Sequence, residues 1–174
     1  ALAIPAAIEG TLAASIGLGP DGPVTIDLRR DGPHVLVAGT TGAGKSACIN
    51  SLLSSILLGS TPHDVRLVLI DPKQVELNHY DSVPHLLTPV VTSPRVAANV
   101  LENLIGEMES RYSVMGEARA RGLEELNKIR RAKGEAPLPY ILCVIDELAD
   151  LMMVAPAEVE DAIIRLAQKS RAVG

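Results

Sequence analysis

The chain has 174 residues, 47% of them hydrophobic, a formal net charge of -5, three Tyr and neither Phe nor Trp. That length suits one domain of ordinary size with an aliphatic core; the scarcity of aromatics argues against base stacking, and the acidic balance against a surface coated for nucleic acid, though a few basic loops facing a pore remain compatible with it. No run approaches the ~18 apolar residues of a membrane helix, and the start lacks the charged-then-apolar layout of a signal peptide, so the segment itself is expected to be soluble.

Residues 1–23 read as a linker or the end of a neighbouring domain, closing on a Gly/Pro-rich lead-in from Gly17 to Pro23, and the domain proper is drawn over 24–174. Val24 to Leu28 alternates apolar and polar residues, as a half-exposed strand does. Val35 to Ala38 is short, apolar and β-branched, which predicts a buried strand, while Ala47 to Leu58 has helical character without Gly or Pro. Between them Gly39 to Ser46 read GTTGAGKS, a fit to the phosphate-cradling P-loop pattern G-x-x-x-x-G-K-[ST] in its required strand-loop-helix setting.

The chemistry behind that pattern assigns roles to the eight residues Gly39, Thr40, Thr41, Gly42, Ala43, Gly44, Lys45 and Ser46. A polyphosphate must be met without bulky side chains, so Gly42 and Gly44 let successive N–H groups turn inward, and the helix start adds its positive end. Lys45 would reach the β and γ oxygens, and the Ser46 hydroxyl is the expected Mg²⁺ ligand. Gly42 to Ala47 also spell G-x-G-x-x-A, a dinucleotide fingerprint, with Asp71 where a ribose-binding acid would belong. The Lys45-Ser46 pair, which that fingerprint does not require, decides for the P-loop.

Further along, Arg66 to Asp71 (RLVLID) reads as a buried strand, and Ser93-Pro94 as a helix start. Val96, Val100, Leu101, Leu104, Ile105, Met108, Tyr112 and Met115 then recur at helical spacing, the methionines as core filler. Lys128, Arg130, Arg131 and Lys133 fall in a region read as a loop with a solvated face, from Gly116 to Pro139. Tyr140 to Ile145 (YILCVI) reads as a third buried strand that delivers Asp146 and Glu147 at its end. Asp146 suits the acidic anchor of the same Mg²⁺, and Glu147 can orient and deprotonate an attacking water; the plain alternative for Glu147 is a helix-start acid. After Pro156, the positions Val159, Ile163, Leu166 and Ala167 mark an amphipathic helix that runs on to Lys169, Arg171 and Gly174. Cys48 and Cys143 lack the spacing of a zinc site or disulfide and read as buried free thiols, and the four His are scattered, with His34 structural or at the surface. No Asp begins a D-x-x-G, and Asn127-Lys128 is followed by Ile129-Arg130, so the marks of a GTPase are missing.

Four blocks in order, HVLVAGTTGAGKS, LIDPKQVEL with a following Tyr80, VPHLLTPVVT, and VIDELADLMM running on to RLAQKSRAVG, resemble the FtsK/SpoIIIE group of DNA-translocating ATPases over about Gly32 to Gly174. The block Asp71, Pro72, Lys73, Glu76, Leu77 is more diagnostic of that group than the P-loop. The resemblance implies an α/β, RecA-like P-loop NTPase fold with a mainly parallel sheet flanked by helices. It further implies Mg-ATP hydrolysis that drives double-stranded DNA through a hexameric ring, with Lys45, Ser46, Asp146 and Glu147 in the roles above. By the same resemblance Arg171 is the arginine that such rings insert into the neighbour's ATP site; read without it, Arg171 is a helix-end cation. The location implied is a cytoplasmic segment of a membrane-anchored bacterial protein that serves chromosome segregation. Related modules power type VII protein secretion, which stands as the alternative. One departure matters: family members continue past the position of Gly174 with a strand that lies between the P-loop strand and the one ending at Asp146. Without it the sheet is expected to have a gap, and the chain reads as a piece of a longer protein.

Overall fold

Residues 12–174 are described by the structure, a computed structural model, and fall into two units that divide between Thr61 and Pro62. In the first, β1 (Ala13–Gly19) and β2 (Gly22–Asp27) form an antiparallel hairpin, with Gly19 opposite Gly22 and a bulge between Ser15 and Gly17. Gly22 sits at φ 121°, a conformation that an L side chain rarely adopts, which is why the two-residue connection ends on glycine. β1 therefore lies in the segment read as linker and lead-in, and its partner is the strand predicted from Val24 onward. The helix α1 (Lys45–Gly59) covers β1: Leu53 and Ile56, one turn apart, are fully buried, and Ser55 Oγ accepts a 2.9 Å hydrogen bond from Ser15 N–H.

The segment from Val35 to Ala38 departs from the expected buried strand. It has no strand hydrogen bonding among the described residues, and Leu36 is 83% exposed. β-branched, apolar composition favours extension, but a strand becomes one only when its N–H and C=O groups find a neighbour. No described strand pairs with this segment.

The second unit is built on β3 (Val65–Ile70) and β4 (Tyr140–Ile145), a parallel pair in unbroken register from Val65 opposite Tyr140 to Ile70 opposite Ile145. The far edge of β3 is occupied too: Leu67 and Ile70 bridge Leu86 and Val91, through bonds such as Leu87 N–H to Leu67 O at 2.9 Å. With both edges paired, β3 is a nearly continuous run of buried aliphatics, the pattern of a central parallel strand, whereas β4, expected to be buried, is half-buried throughout, since β3 is the one described strand it pairs with.

The long helix α2 (Pro94–Ala118) packs on this pair with Ala97, Leu101, Ile105, Met108, Arg111 and Met115 inward, at steps of four, four, three, three and four. Two positions of the predicted stripe are corrected, since Val96 and Tyr112 are exposed and Arg111 takes the inward place. The stretch read as a loop contains a helix, α3 (Leu123–Ala132), whose first turn carries Glu124 and Glu125 and whose last carries Arg130 and Arg131, a charge order that favours its macrodipole. Its inner face is narrow, Leu123, Leu126 and Asn127, and in only ten mostly polar residues it is easily read as solvated loop. Asn127 ties α3 to the approach of β4 by a reciprocal pair of 2.8 Å bonds with the backbone of Leu138. Two more helices, α4 (Leu148–Val154) and α5 (Pro156–Lys169), and a 3-10 turn (Ser170–Ala172) complete the unit, with Leu151, Val159 and Ala162 in the common core. The cysteines are free and partly buried.

Leu101, 1% exposed at the centre of this core, is the position most sensitive to truncation. Leu101→Ala is expected to reduce stability by about 3 kcal/mol in urea unfolding, whereas Leu58→Ala, at an exposed site of α1, shifts it by less than about 0.5 kcal/mol.

Candidate functional site

The glycine loop of the first unit has the geometry of an anion cradle. Gly42 and Gly44 hold φ of 80° and 91°, while a Cβ at either would meet nothing within 4 Å, so the backbone conformation and not space demands glycine there. The turn closes through Ala43 N–H to Thr40 O at 3.1 Å, and α1 starts with neither a side-chain cap nor an acid in its first turn. Its positive end is left to an external anion. Lys45 Nζ folds back over the loop and donates to Gly39 O at 2.7 Å and Thr40 O at 3.3 Å. Ser46 comes next, half-buried in the first turn, while Gly39 to Gly44 are exposed.

In the second unit the parallel register sets two acids side by side. Asp71 succeeds Ile70, Asp146 succeeds Ile145, and Asp146 N–H donates to Ile70 O at 3.0 Å. Asp71 is fully buried; its Oδ2 accepts from Glu76 N–H at 3.0 Å and Leu77 N–H at 2.9 Å, which shapes the Pro72–Leu77 loop, and its Oδ1 has no hydrogen-bond partner among the described residues. Burial raises the proton affinity of Asp146 above that of an ordinary carboxylate, and the charges of Asp71, Glu76 and Glu147 add to the effect while Lys73 opposes it. Glu147 is in extended conformation at the N-cap of α4, the place its plain reading as a helix-start acid gives it, and it follows Asp146 directly in the chain.

Lys73 is the cation of this acidic end. Its Nζ forms ion pairs 3.3 Å from Asp150 Oδ2 and 3.9 Å from Glu147 Oε2, and it holds its proton more firmly than a free lysine, first through the contact with Asp150, which lacks hydrogen-bond alignment. In the sequence Lys73 is legible only as part of a motif, with no partner, and Asp150 carries no mark beyond its place in the first turn of α4. Among the described residues no three His, Cys, Asp or Glu side chains converge as a self-sufficient metal cage.

Arg171 is exposed in the 3-10 turn, and no hydrogen bond or ion pair engages its guanidinium among the described residues. The turn ends at Gly174, whose carbonyl accepts from Ile141 N–H at 2.9 Å, near the start of β4. Asp146 lies beyond the other end of that strand, about 16 Å further on at ~3.3 Å per residue. The structure thus gathers Asp146 and Glu147 with Asp71, Lys73 and Asp150, and sets Arg171 apart from them.

Relief of the carboxylate crowding should be visible as stability. A carboxyl group whose folded-state proton affinity is raised destabilises the fold above its folded pKa, and that penalty fades as pH falls through it. Asp146→Asn is therefore expected to melt at higher temperature than the parent at pH 7.5 in EDTA, with the difference shrinking toward pH 4; an unchanged or lower melting temperature at pH 7.5 contradicts the electrostatic picture.

The sequence profile of the FtsK/SpoIIIE family matches residues 10–174. The DNA translocase FtsK of Corynebacterium efficiens is 48% identical over 98% of this chain, and that of Bacillus cereus 52% identical over 91%. The chain spans only 19% and 21% of the length of these relatives. Among solved structures, the pCW3 conjugation coupling protein TcpA, in a monomer form with ATPγS, superposes with a TM-score of 0.78 at 28% identity over 97% of this chain and 47% of its own. ATPases 2 and 3 of EccC from Thermomonospora curvata, in complex with a signal sequence peptide, give a TM-score of 0.80 at 25% identity over 93% of this chain and 31% of theirs. A P-loop loop-helix unit, a parallel strand pair ending in acids, and near-complete coverage by one family profile agree: the chain belongs to the FtsK/SpoIIIE family.

Proposed function

We propose that this chain is the ATP-hydrolysing motor segment of a double-stranded DNA translocase that works as a hexameric ring on the cytoplasmic side of a membrane-anchored bacterial protein. The observation that carries this reading is the roughly half identity to DNA translocases across nearly the whole chain. The inward N–H groups around Gly42 and Gly44 and the uncapped start of α1 bind the phosphates, and Lys45 exchanges its bonds to Gly39 O and Thr40 O for phosphate oxygens. Glu147, beside Asp146 and within reach of Lys73, accepts the proton of the attacking water.

The residues fit Mg²⁺. Asp146 is an acid whose crowding by Asp71, Glu76 and Glu147 calls for a cation, and a carboxylate oxygen suits a hard ion. Ser46 and Asp146 would hold it, and when bound it would neutralise charge developing on the phosphates. Arg171 serves the ATP site of the next subunit; its unengaged guanidinium and its separation from Asp146 along β4 support a role in trans.

A second reading, a motor for type VII protein secretion, is favoured by the TM-score of 0.80 with EccC, yet the identity there is 25% against about 50% with the translocases. Addition of double-stranded DNA or of a secreted signal peptide to the full-length protein separates the two: ATP turnover should rise with DNA and not with peptide. Glu147→Gln should lower kcat by at least ~10² and Arg171→Ala by roughly 10³, with nucleotide binding retained. Because each variant keeps the half-site that the other lacks, mixing the two should restore part of the turnover. Wild-type rates in either variant, or no restoration on mixing, would overturn the assignments.

A further inference from the structure

We propose that Arg111 and Tyr112, adjacent on α2, are positioning residues that fix the turn carrying Arg171 from both sides. The inference rests on the proposed role of Arg171 in a neighbour's site and says how this chain presents it. Arg111 is only 4% exposed, at a place in the helix pattern that Leu or Met would fill. A buried guanidinium is tolerated only where its donors are used. Here Nε bonds Glu107 Oε1 at 2.8 Å, while Nη1 donates to Val173 O at 2.9 Å and reaches Gly174 O at 3.4 Å. Tyr112 points roughly a quarter-turn away around the helix and donates from Oη to Lys169 O at 2.6 Å.

The two side chains thus hold backbone carbonyls two residues before and two residues after Arg171. Between them the turn closes on itself, with Val173 N–H and Gly174 N–H both donating to Ser170 O at 3.1 Å, and Val173 is buried. Gly122 belongs to the same seat, since a Cβ there would come within 3.4 Å of Ala172 O. The consequence is that the backbone at Arg171 is fixed while its side chain stays outside. A guanidinium that must meet developing charge in another subunit gains from such preorganisation, because little ordering is left for the moment of reaction. Core packing alone would require neither bond, and neither Arg111 nor Tyr112 needs to touch nucleotide.

Tyr112→Phe removes one bond from a side chain that is 39% exposed, so folding is preserved. In the full-length protein this variant is expected to lose ~3–10-fold in kcat with an unchanged KM for ATP and an unchanged melting temperature. In an Arg171→Ala background, read by single-turnover hydrolysis, the same substitution should change the residual rate by less than ~2-fold, since both act through one group. Arg111→Lys, which keeps charge but loses the paired donors, should show the same loss in kcat and the same dependence on Arg171, here with a lower melting temperature because the site is buried. If Arg171→Ala is impaired while Tyr112→Phe turns over at the wild-type rate, or if the Tyr112→Phe loss persists undiminished without Arg171, the clamp is refuted and the in-trans reading stands. If Arg171→Ala itself retains full activity, that reading fails first.

Discussion

The parallel pairing of β3 with β4 is the constraint on which the second unit depends. Because the two strands run the same way and stay in register to Ile70 and Ile145, the residues after them must emerge together at one end. Those residues are Asp71 and Asp146. Two acids placed side by side in partial burial oppose stability, and several features nearby answer to that. Asp71 is drawn into its own loop by two backbone N–H groups, Lys73 returns toward Asp150 and Glu147, and Asp146 is left with raised proton affinity.

The same strand pair orders the opposite end of the unit. β4 receives Gly174 O at Ile141, and α2, packed across the unit, sends Arg111 and Tyr112 to the carbonyls around the last turn. One helix therefore contributes both to the apolar core, through Leu101 and Ile105, and to the seat of an exposed arginine. Acidic end and arginine turn are held apart by the length of a strand.

The apolar run of β3 is legible because a strand this buried needs side chains of one kind only, β4 is legible from a like composition although it is half-buried, and α2 is legible because twenty-five residues give its period many chances to repeat. The shorter α3 is not: with Gly122 and Gly134 at its borders and only Leu123, Leu126 and Asn127 inside, it has the look of solvated loop. Arg111 is invisible for a related reason, since a periodic reading looks for apolar residues and selects the neighbouring Tyr112 in its place. The DPK block marks its family plainly, yet only contact distances show that Lys73 turns toward Asp150.

By itself the sequence determined the class of chemistry and the family, because GTTGAGKS, the strand ending in Asp146-Glu147 and the DPK block are local arrangements whose physical demands are written in consecutive residues. Tertiary structure alone decided which expectations required a partner. Val35 to Ala38 has the composition of a strand and pairs with no described strand, since extended backbone becomes a strand only through hydrogen bonds to another segment. Asp71 and Asp146, seventy-five positions apart, become neighbours only through the register of β3 and β4. Arg111 and Val173 meet across sixty-two positions by the packing of α2 against the last turn. Those long-range pairings are set by how the whole chain satisfies its backbone and buries its apolar faces, and no window of sequence contains them.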